Sequence, residues 1–83
     1  MFTTYVLLSS KNGRHYIGST NNLERRLNEH NRGTTKALRY SGPYKTIYTE
    51  VFETQLEARR RELELKTGKG REWLKAILVR VVA

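Results

Sequence analysis

The sequence predicts an α+β domain, a small three-stranded antiparallel sheet with flanking helices in the order ββαβαα. Its length of 83 residues suits one small domain with a modest core. The Asn12-Gly13 dipeptide lies between two β-rich segments and is a strong hairpin signal, because both residues tolerate positive φ. Apolar residues at helical spacing follow capping residues further along the chain. No repeat or linker interrupts residues 1–83, so we expect a single domain.

Two strands form the predicted hairpin. Residues 3–8 are rich in β-branched, aromatic and aliphatic side chains, and residues 14–19 return as the second strand. A two-residue turn at Asn12-Gly13 makes Leu7 face Gly18. Opposed residues share a face of the sheet. One face is therefore predicted to consist of Tyr5, Leu7, Ser9, Tyr16 and Gly18.

A short helix is predicted over residues 23–31, after capping residues at 20–22 and before a stop near Gly33. Residues 33–44 are polar and interrupted, which is typical of a basic loop. Residues 45–52 alternate well enough to form the third strand.

Two helices are predicted after the third strand. Thr54 caps the first of them, which extends to about Thr67 and is ended by Gly68 and Gly70. The second begins at Arg71 and carries an apolar stripe at helical spacing that we expect to close the core. That stripe consists of Trp73, Leu74, Ile77 and Leu78. An interface role for the stripe is the alternative, and it would make the chain dimeric.

The balance of charge favours a polyanionic partner. Sixteen Lys and Arg against eight Asp and Glu give a formal net charge of +8. Nucleic acid is the first candidate, an acidic membrane surface is the second, and a merely solubilising surface is the alternative. The chain has no cysteine and two histidines, which excludes a disulfide framework, a cysteine zinc site and a His-rich metal site. No apolar run approaches the roughly 20 residues that span a bilayer. We expect no membrane partner and a reducing, cytoplasmic setting.

Three side chains suggest a site. Arg26 and His30 are four residues apart on the first helix and flank its apolar stripe, so both should face the seam between helix and sheet. Glu62 lies in the apolar stripe of the helix that Thr54 caps. A carboxylate in that position costs several kcal/mol unless it is paired or bound to a metal. Pairing with Arg59 or Lys66, both within one turn, and ligation of a metal both explain it.

These residue types suit phosphodiester hydrolysis. That reaction needs a group that activates or orients water, a group that binds the charge developing on phosphorus, and a group that stabilises the leaving oxygen. Arg26 offers a fixed fork of donors to a phosphate. Tyr5 or Tyr16 can activate water if a neighbouring cation or metal lowers its pKa. Mg²⁺ on an isolated Glu62 suits the leaving oxygen, because this ion binds few protein oxygens and keeps its waters.

The order and spacing of several motifs resemble the GIY-YIG nuclease superfamily, in particular its small stand-alone bacterial members. The motifs are Thr3-Thr4-Tyr5, Tyr16-Ile17-Gly18, the run from Asn22 to His30, Phe52-Glu53-Thr54, Glu57-Ala58 and the run from Arg61 to Lys66. The second signature triplet is intact. In the first, Thr3-Thr4 replace glycine and isoleucine and only Tyr5 remains.

The resemblance implies a role for each matching residue. Tyr5 is the general base, and Tyr16 is a helper near the scissile phosphate. Arg26 stabilises the transition state, and His30 assists proton transfer. Glu62 binds a single divalent metal, Mg²⁺ or Mn²⁺. Gly18 permits close approach of backbone and helix. An asparagine that some members carry after this glutamate has no counterpart, since no Asn follows Asn31.

The resulting prediction is a metal-dependent endonuclease that cuts DNA in preference to RNA, with weak sequence specificity or selectivity for structure. It would serve DNA repair, recombination or processing as a monomer or weak homodimer. The alternative is a non-catalytic nucleic-acid-binding module of the same fold. Tyr40 and Tyr44 can stack on bases or pack under the loop. The candidate phosphate contacts, each of which can equally be a solvated surface residue, are Arg14, Lys36, Arg39, Lys45, Arg59 and Arg60.

Overall fold

The computed structural model describes residues 1–32 and 43–82, with side chains as far as Leu78. It confirms the order ββαβαα. The elements are β1 (Phe2–Ser9), β2 (His15–Thr20), α1 (Leu23–Asn31), β3 (Tyr44–Phe52), α2 (Gln55–Leu65) and α3 (Gly68–Val82). Most of the predicted basic loop, with Lys36, Arg39 and Tyr40, lies outside the described residues. Within the described part of the chain, no helix combines the length and the apolar character needed to cross a membrane.

The sheet is antiparallel with the order β2-β1-β3, so β1 is central and β2 is an edge strand. The predicted two-residue turn at Asn12-Gly13 is wrong. Ser9 N donates to Arg14 O at 3.0 Å, which leaves residues 10–13 in the turn, with Gly13 at a φ of 70°. The longer turn forms because Ser9 Oγ accepts from two turn amides, each at 3.2 Å.

The longer turn changes the register of the hairpin but not its faces. Tyr5 opposes Gly18, and Leu7 opposes Tyr16, where the two-residue turn predicted Leu7 opposite Gly18. The shift is by an even number of residues, and side chains alternate with a period of two. Tyr5, Leu7, Tyr16 and Gly18 therefore still share one face, as predicted.

Helices cover both faces of the sheet. On one face Tyr5, Leu7 and Tyr44 are buried, and Leu23 and Leu27 of α1 pack against them. This face carries the tyrosines of the hairpin, so α1 is brought directly over them. The result is a three-layer arrangement in which β1 is buried from both sides.

The opposite face packs against α2 and α3. Val6 forms a buried cluster there with Leu65 of α2 and Leu74 of α3. Ile47 and Tyr48 are neighbours in β3 and both pack on this cluster, because an irregularity in the pairing of β1 with β3 interrupts the alternation of β3. Thr4 Oγ1 also donates to Ala58 O at 2.7 Å, which ties β1 to α2.

The two C-terminal helices depart from prediction at their junction. α2 ends at Leu65 and α3 begins at Gly68, whereas the glycines were predicted to separate the helices up to Arg71. Thr67 Oγ1 accepts from Gly70 N at 3.1 Å and so satisfies an amide of the first turn of α3. A Cβ at Gly70 would collide with the backbone of Glu64, so this glycine permits close contact of α3 with the end of α2.

The expected burial of Trp73 is wrong. Its side chain is 39% exposed, while Leu74 and Leu78 are buried and Ile77 is half-buried. The indole ring instead packs on the outer surface, with the guanidinium of Arg61 4.5 Å from its centroid and the ring of Tyr48 at 5.8 Å. The stripe of α3 thus closes the core through its leucines.

Candidate active site

A groove with a volume of about 1230 Å³ lies over the edge strand β2. Neighbouring residues of a strand point to opposite faces, and at an edge both faces are within reach of one groove. Side chains from α1 therefore meet side chains from α2 and α3 across β2. The groove contains eight of the predicted site residues, namely Tyr5, Arg14, Tyr16, Gly18, Arg26, His30, Arg59 and Glu62.

Gly18 determines where Tyr5 lies. A Cβ at residue 18 would be 2.5 Å from Tyr5 Oη and 2.7 Å from Tyr5 Cζ, far inside van der Waals contact. The absence of a side chain lets the Tyr5 ring cross β2 and bring its hydroxyl to the groove. Tyr5 is otherwise 4% exposed, so the ring is anchored in the core and its oxygen is the part that reaches the site.

The hydroxyl of Tyr5 meets two side chains of α1. Asn22 Oδ1 accepts from Arg25 N at 3.0 Å and caps this helix, which sets the direction of Arg26 and His30. Tyr5 Oη lies 3.4 Å from Nε2 of His30, which is buried. The pKa of Tyr5 lies above its usual value, because burial raises it by more than the hydrogen bond and the positive charge of Arg26 lower it. The neighbouring cation therefore does not give Tyr5 the lowered pKa that was predicted from the sequence as a condition for activating water.

His30 is poised as a neutral imidazole. Burial and the positive charge of Arg26 hold the pKa of His30 below its usual value of 6.5, although the charge of Glu29 opposes them. Its Nδ1 is buried and has no hydrogen-bond partner among the described residues. Arg26 itself remains 42% exposed and pairs with Glu29 at 3.1 Å. The guanidinium is thus anchored at one side and open to the groove at the other.

Tyr16 lies further along the same wall of the groove. Its hydroxyl accepts a hydrogen bond from Nδ2 of Asn12 at 3.3 Å. Its ring stands edge-on to Tyr44, with 5.3 Å between the centroids. Tyr44 is 5% exposed, which favours packing over base stacking for this residue. The hairpin turn and β3 together therefore orient Tyr16.

Glu62 faces the same groove from the other layer. Its side chain is 6% exposed, and its carboxylate accepts from Arg59 Nη1 at 2.6 Å and from Lys66 Nζ at 2.7 Å. Ser19 Oγ donates to the second carboxylate oxygen at 2.7 Å. Burial disfavours the charged form, yet hydrogen bonds from Lys66, Ser19 and Arg59 hold the pKa of Glu62 below its usual value. Both ion pairs suggested by the spacing are present.

The surroundings of Glu62 suit a divalent ion that keeps most of its water. Among the residues that the structure describes, no three His, Cys, Asp or Glu side chains come together as a metal cage. A single ionised carboxylate facing a roomy polar groove fits Mg²⁺ or Mn²⁺, which bind through one or two carboxylates and waters. Arg59 and Lys66 are both bound to Oε2 of this carboxylate, which would be the metal's protein ligand. The donor chemistry fits the ion, and the two cations compete with it.

The groove is strongly cationic, and part of that charge was missed from the sequence. Lys66, Arg71 and Lys75 line it in addition to Arg14, Arg26 and Arg59. The spacing of four between Arg71 and Lys75 was the available signal, since such residues share a helix face. Lys45 and Arg60 do not line the groove, and Lys36 and Arg39 lie outside the described residues.

The chain is similar to known proteins over most of its length. The family model described as the GIY-YIG catalytic domain matches residues 1–75. A UPF0213 protein of Clostridium perfringens is 44% identical over 61 residues, which are 72% of this chain and 66% of that protein. A UPF0213 protein of Staphylococcus saprophyticus is 35% identical over 86% of this chain and 88% of its own length. The match thus spans just under two thirds of the first relative and most of the second.

A solved structure has a similar fold. The solution NMR structure of a UPF0213 protein from Bacillus halodurans superimposes with a TM-score of 0.56 at 31% sequence identity. The superposition covers 93% of this chain and 85% of that one. The names of these three relatives state no substrate.

Proposed function

The chain belongs to the GIY-YIG nuclease family, and from this premise we propose that it is an endonuclease that hydrolyses phosphodiester bonds of DNA with the help of one divalent metal. The observation that carries the proposal is the meeting of Tyr5, Arg26, His30 and Glu62 in one cationic groove. These residues come from a strand and from helices on both faces of the sheet. Packing alone gives no reason for four such polar groups to converge there.

In this proposal Tyr5 and His30 move the proton of the attacking water. The phenolic hydroxyl of Tyr5 donates its proton toward Nε2 of His30, 3.4 Å away, and its oxygen accepts a proton from the water. A neutral imidazole can take that proton, and the depressed pKa of His30 keeps it neutral at pH 7. The charge of Arg26 beside the phenol stabilises the phenolate character that develops.

Arg26 and Glu62 deal with the negative charge of the phosphate. The exposed part of the Arg26 guanidinium can bind two phosphate oxygens at once and retain its charge throughout. Glu62 would hold the metal, which when bound supplies Lewis-acid stabilisation of the leaving oxygen. Ser19 orients that carboxylate through its hydrogen bond.

The nature of the substrate follows from the charge of the groove. In the part of the chain that the structure describes, its lining contains six Lys and Arg side chains and one carboxylate, which favours contact with the phosphate backbone. A domain of 83 residues covers little duplex, so we propose weakly sequence-specific or structure-selective cutting, in DNA repair, recombination or processing. The protein would act as a monomer or weak homodimer in the cytoplasm.

Cleavage of labelled single-stranded, duplex and branched DNA in Mg²⁺ or Mn²⁺ tests the proposal. Wild type is compared with Glu62→Ala and with Glu64→Ala, which removes a carboxylate from the exposed side of the same helix. We expect metal-dependent cutting that Glu62→Ala abolishes and Glu64→Ala retains. Equal cutting by all three proteins would contradict the role of Glu62.

The second candidate is a non-catalytic nucleic-acid-binding module. The ion pairs of Glu62 with Arg59 and Lys66 favour it, because they satisfy this carboxylate without a metal. This candidate predicts binding that weakens steeply with salt, together with no cutting of any of the three substrates in either metal.

A further inference from the structure

The carboxylate of Glu62 is held by what we call the Glu62 clamp, namely Arg59, Lys66 and Ser19. Arg59 and Lys66 both donate to Oε2, at 2.6 and 2.7 Å, and Ser19 donates to Oε1. Ion pairs with both partners charged are among the stronger hydrogen bonds in proteins. The carboxylate that would hold a metal ion is therefore already neutralised by two cations on Oε2.

The two cations of the clamp can also bind a ligand in the groove. Their side chains are 56% and 44% exposed for Arg59 and Lys66, and both line the groove. A phosphate in the groove offers them oxygens as good as those of Glu62. Ser19 has no charge for a phosphate to attract, so its hydrogen bond to Oε1 can still orient the carboxylate without the two cations.

The charge of the groove works in the same direction. Within the described residues, six Lys and Arg side chains and a single carboxylate line it, so a divalent cation entering alone is repelled. A nucleic-acid backbone brings negative charge that cancels this repulsion. Resting on the proposed function, we propose that Arg59 and Lys66 exclude the metal from Glu62 until phosphates of the nucleic acid draw them away. Metal and nucleic acid then bind cooperatively, and by linkage each raises the affinity for the other by the same factor.

Mn²⁺ binding to the free protein tests the exclusion without any cleavage. Manganese chloride is titrated and free Mn²⁺ is measured by electron paramagnetic resonance. We expect Lys66→Met and Arg59→Met each to bind Mn²⁺ at least about tenfold more tightly than wild type, since each removes one charged competitor. Lys75→Met is the matched control, because it removes one positive charge from the same groove without contacting Glu62. It should stay within about threefold of wild type.

Two further variants locate the bound ion and test the coupling. Adding Glu62→Gln to Lys66→Met should abolish the gain in Mn²⁺ affinity. The coupling is measured in Tyr5→Phe protein, which is chosen to slow cleavage. Addition of Mn²⁺ should raise its affinity for a fluorescent DNA duplex at least about fivefold more than it raises the affinity of Tyr5→Phe/Glu62→Gln. Anisotropy at constant ionic strength measures this affinity.

The outcomes separate the two proposals. If Lys66→Met and Arg59→Met bind Mn²⁺ no better than Lys75→Met, the clamp is a structural ion pair and the inference fails, even if wild type cuts DNA. Equal duplex affinities with and without Mn²⁺ overturn the coupling. Tighter Mn²⁺ binding at Glu62 in a protein that cuts nothing upholds the clamp and overturns the proposed function. A thermal melt followed by circular dichroism confirms that each variant is folded.

Discussion

Replacing Gly18 with alanine should slow catalysis by about 10²-fold and leave the fold largely intact. The new Cβ would lie 2.5 Å from Tyr5 Oη, against the 3.4 Å at which ordinary contact begins. The hydroxyl must therefore move by about 1 Å, and a displacement of that size in a reacting group costs about 10²-fold in rate. Overpacking of this kind lowers the free energy of unfolding by about 1–3 kcal/mol.

The assay is the rate of nicking of supercoiled DNA at saturating metal, with urea unfolding measured in parallel. Gly68→Ala is the matched control, because a Cβ there meets no atom within 4 Å. It should cut like wild type and be equally stable or more stable by up to about 1 kcal/mol, because alanine is a better helix residue than glycine. In a Tyr5→Phe background the Gly18→Ala change should cost little further activity, because the group that it displaces is already missing.

A Gly18→Ala protein that cuts at the wild-type rate would refute this reasoning, since the hydroxyl of Tyr5 would then be either mobile or irrelevant. Loss of cutting together with an unfolding free energy lowered by far more than about 3 kcal/mol would point to general disruption of the sheet. The affinity for DNA in the absence of metal provides a separate check, because the cationic wall of the groove does not depend on Gly18.

Three other outcomes are expected. Arg26→Ala should lower the rate of cutting by about 10²- to 10³-fold, while Arg60→Ala, outside the groove, has little effect; near-normal turnover by Arg26→Ala contradicts the role of this residue. The pKa of His30 is depressed in the folded protein, so the unfolded chain binds the proton at a higher pH than the folded protein does. Wild type should therefore lose stability as the pH falls through 6.5 toward the folded pKa, by at most about 1.4 kcal/mol per pH unit. Urea unfolding between about pH 5 and 7.5 should show this loss in wild type and a smaller one in His30→Phe. Leu65→Ala, at a fully buried position, should lower the free energy of unfolding by about 2–5 kcal/mol in the same assay, and a loss below about 1 kcal/mol would show that the cluster with Val6 relaxes.

Local signals in the sequence were enough for much of the fold. The bounds of α1 match the predicted residues 23–31, because its cap and its apolar spacing lie within the helix itself. The face shared by Tyr5 and Tyr16 was also predicted correctly, although the register was not. An error of two residues in a hairpin leaves every side chain on its own face.

Features that depend on contacts between distant segments were not predicted. Gly70 has a low helix propensity and was therefore predicted to lie outside the helix. It lies inside α3, where a glycine is needed because any side chain would collide with the backbone of Glu64. Arg71 and Lys75 lay on one face of the predicted helix, but they were not recognised as part of the groove, because their position there depends on how α3 packs against the sheet. For Glu62 two alternatives were left open, ion pairing and metal ligation. A carboxylate in an apolar stripe requires a partner, but the sequence does not reveal which one.

The position of the groove over an edge strand has a consequence for how the protein acquires its activity. Tyr5 and His30 are 25 positions apart in the chain, and Ser19 and Glu62 are 43 apart. No fragment with one helical layer contains a complete site, and no folding intermediate in which α1 or α2 is undocked can assemble one. Cleavage would therefore report the fraction of molecules in which all three layers are docked. Partly folded chains would not cut DNA, even when they are bound to it.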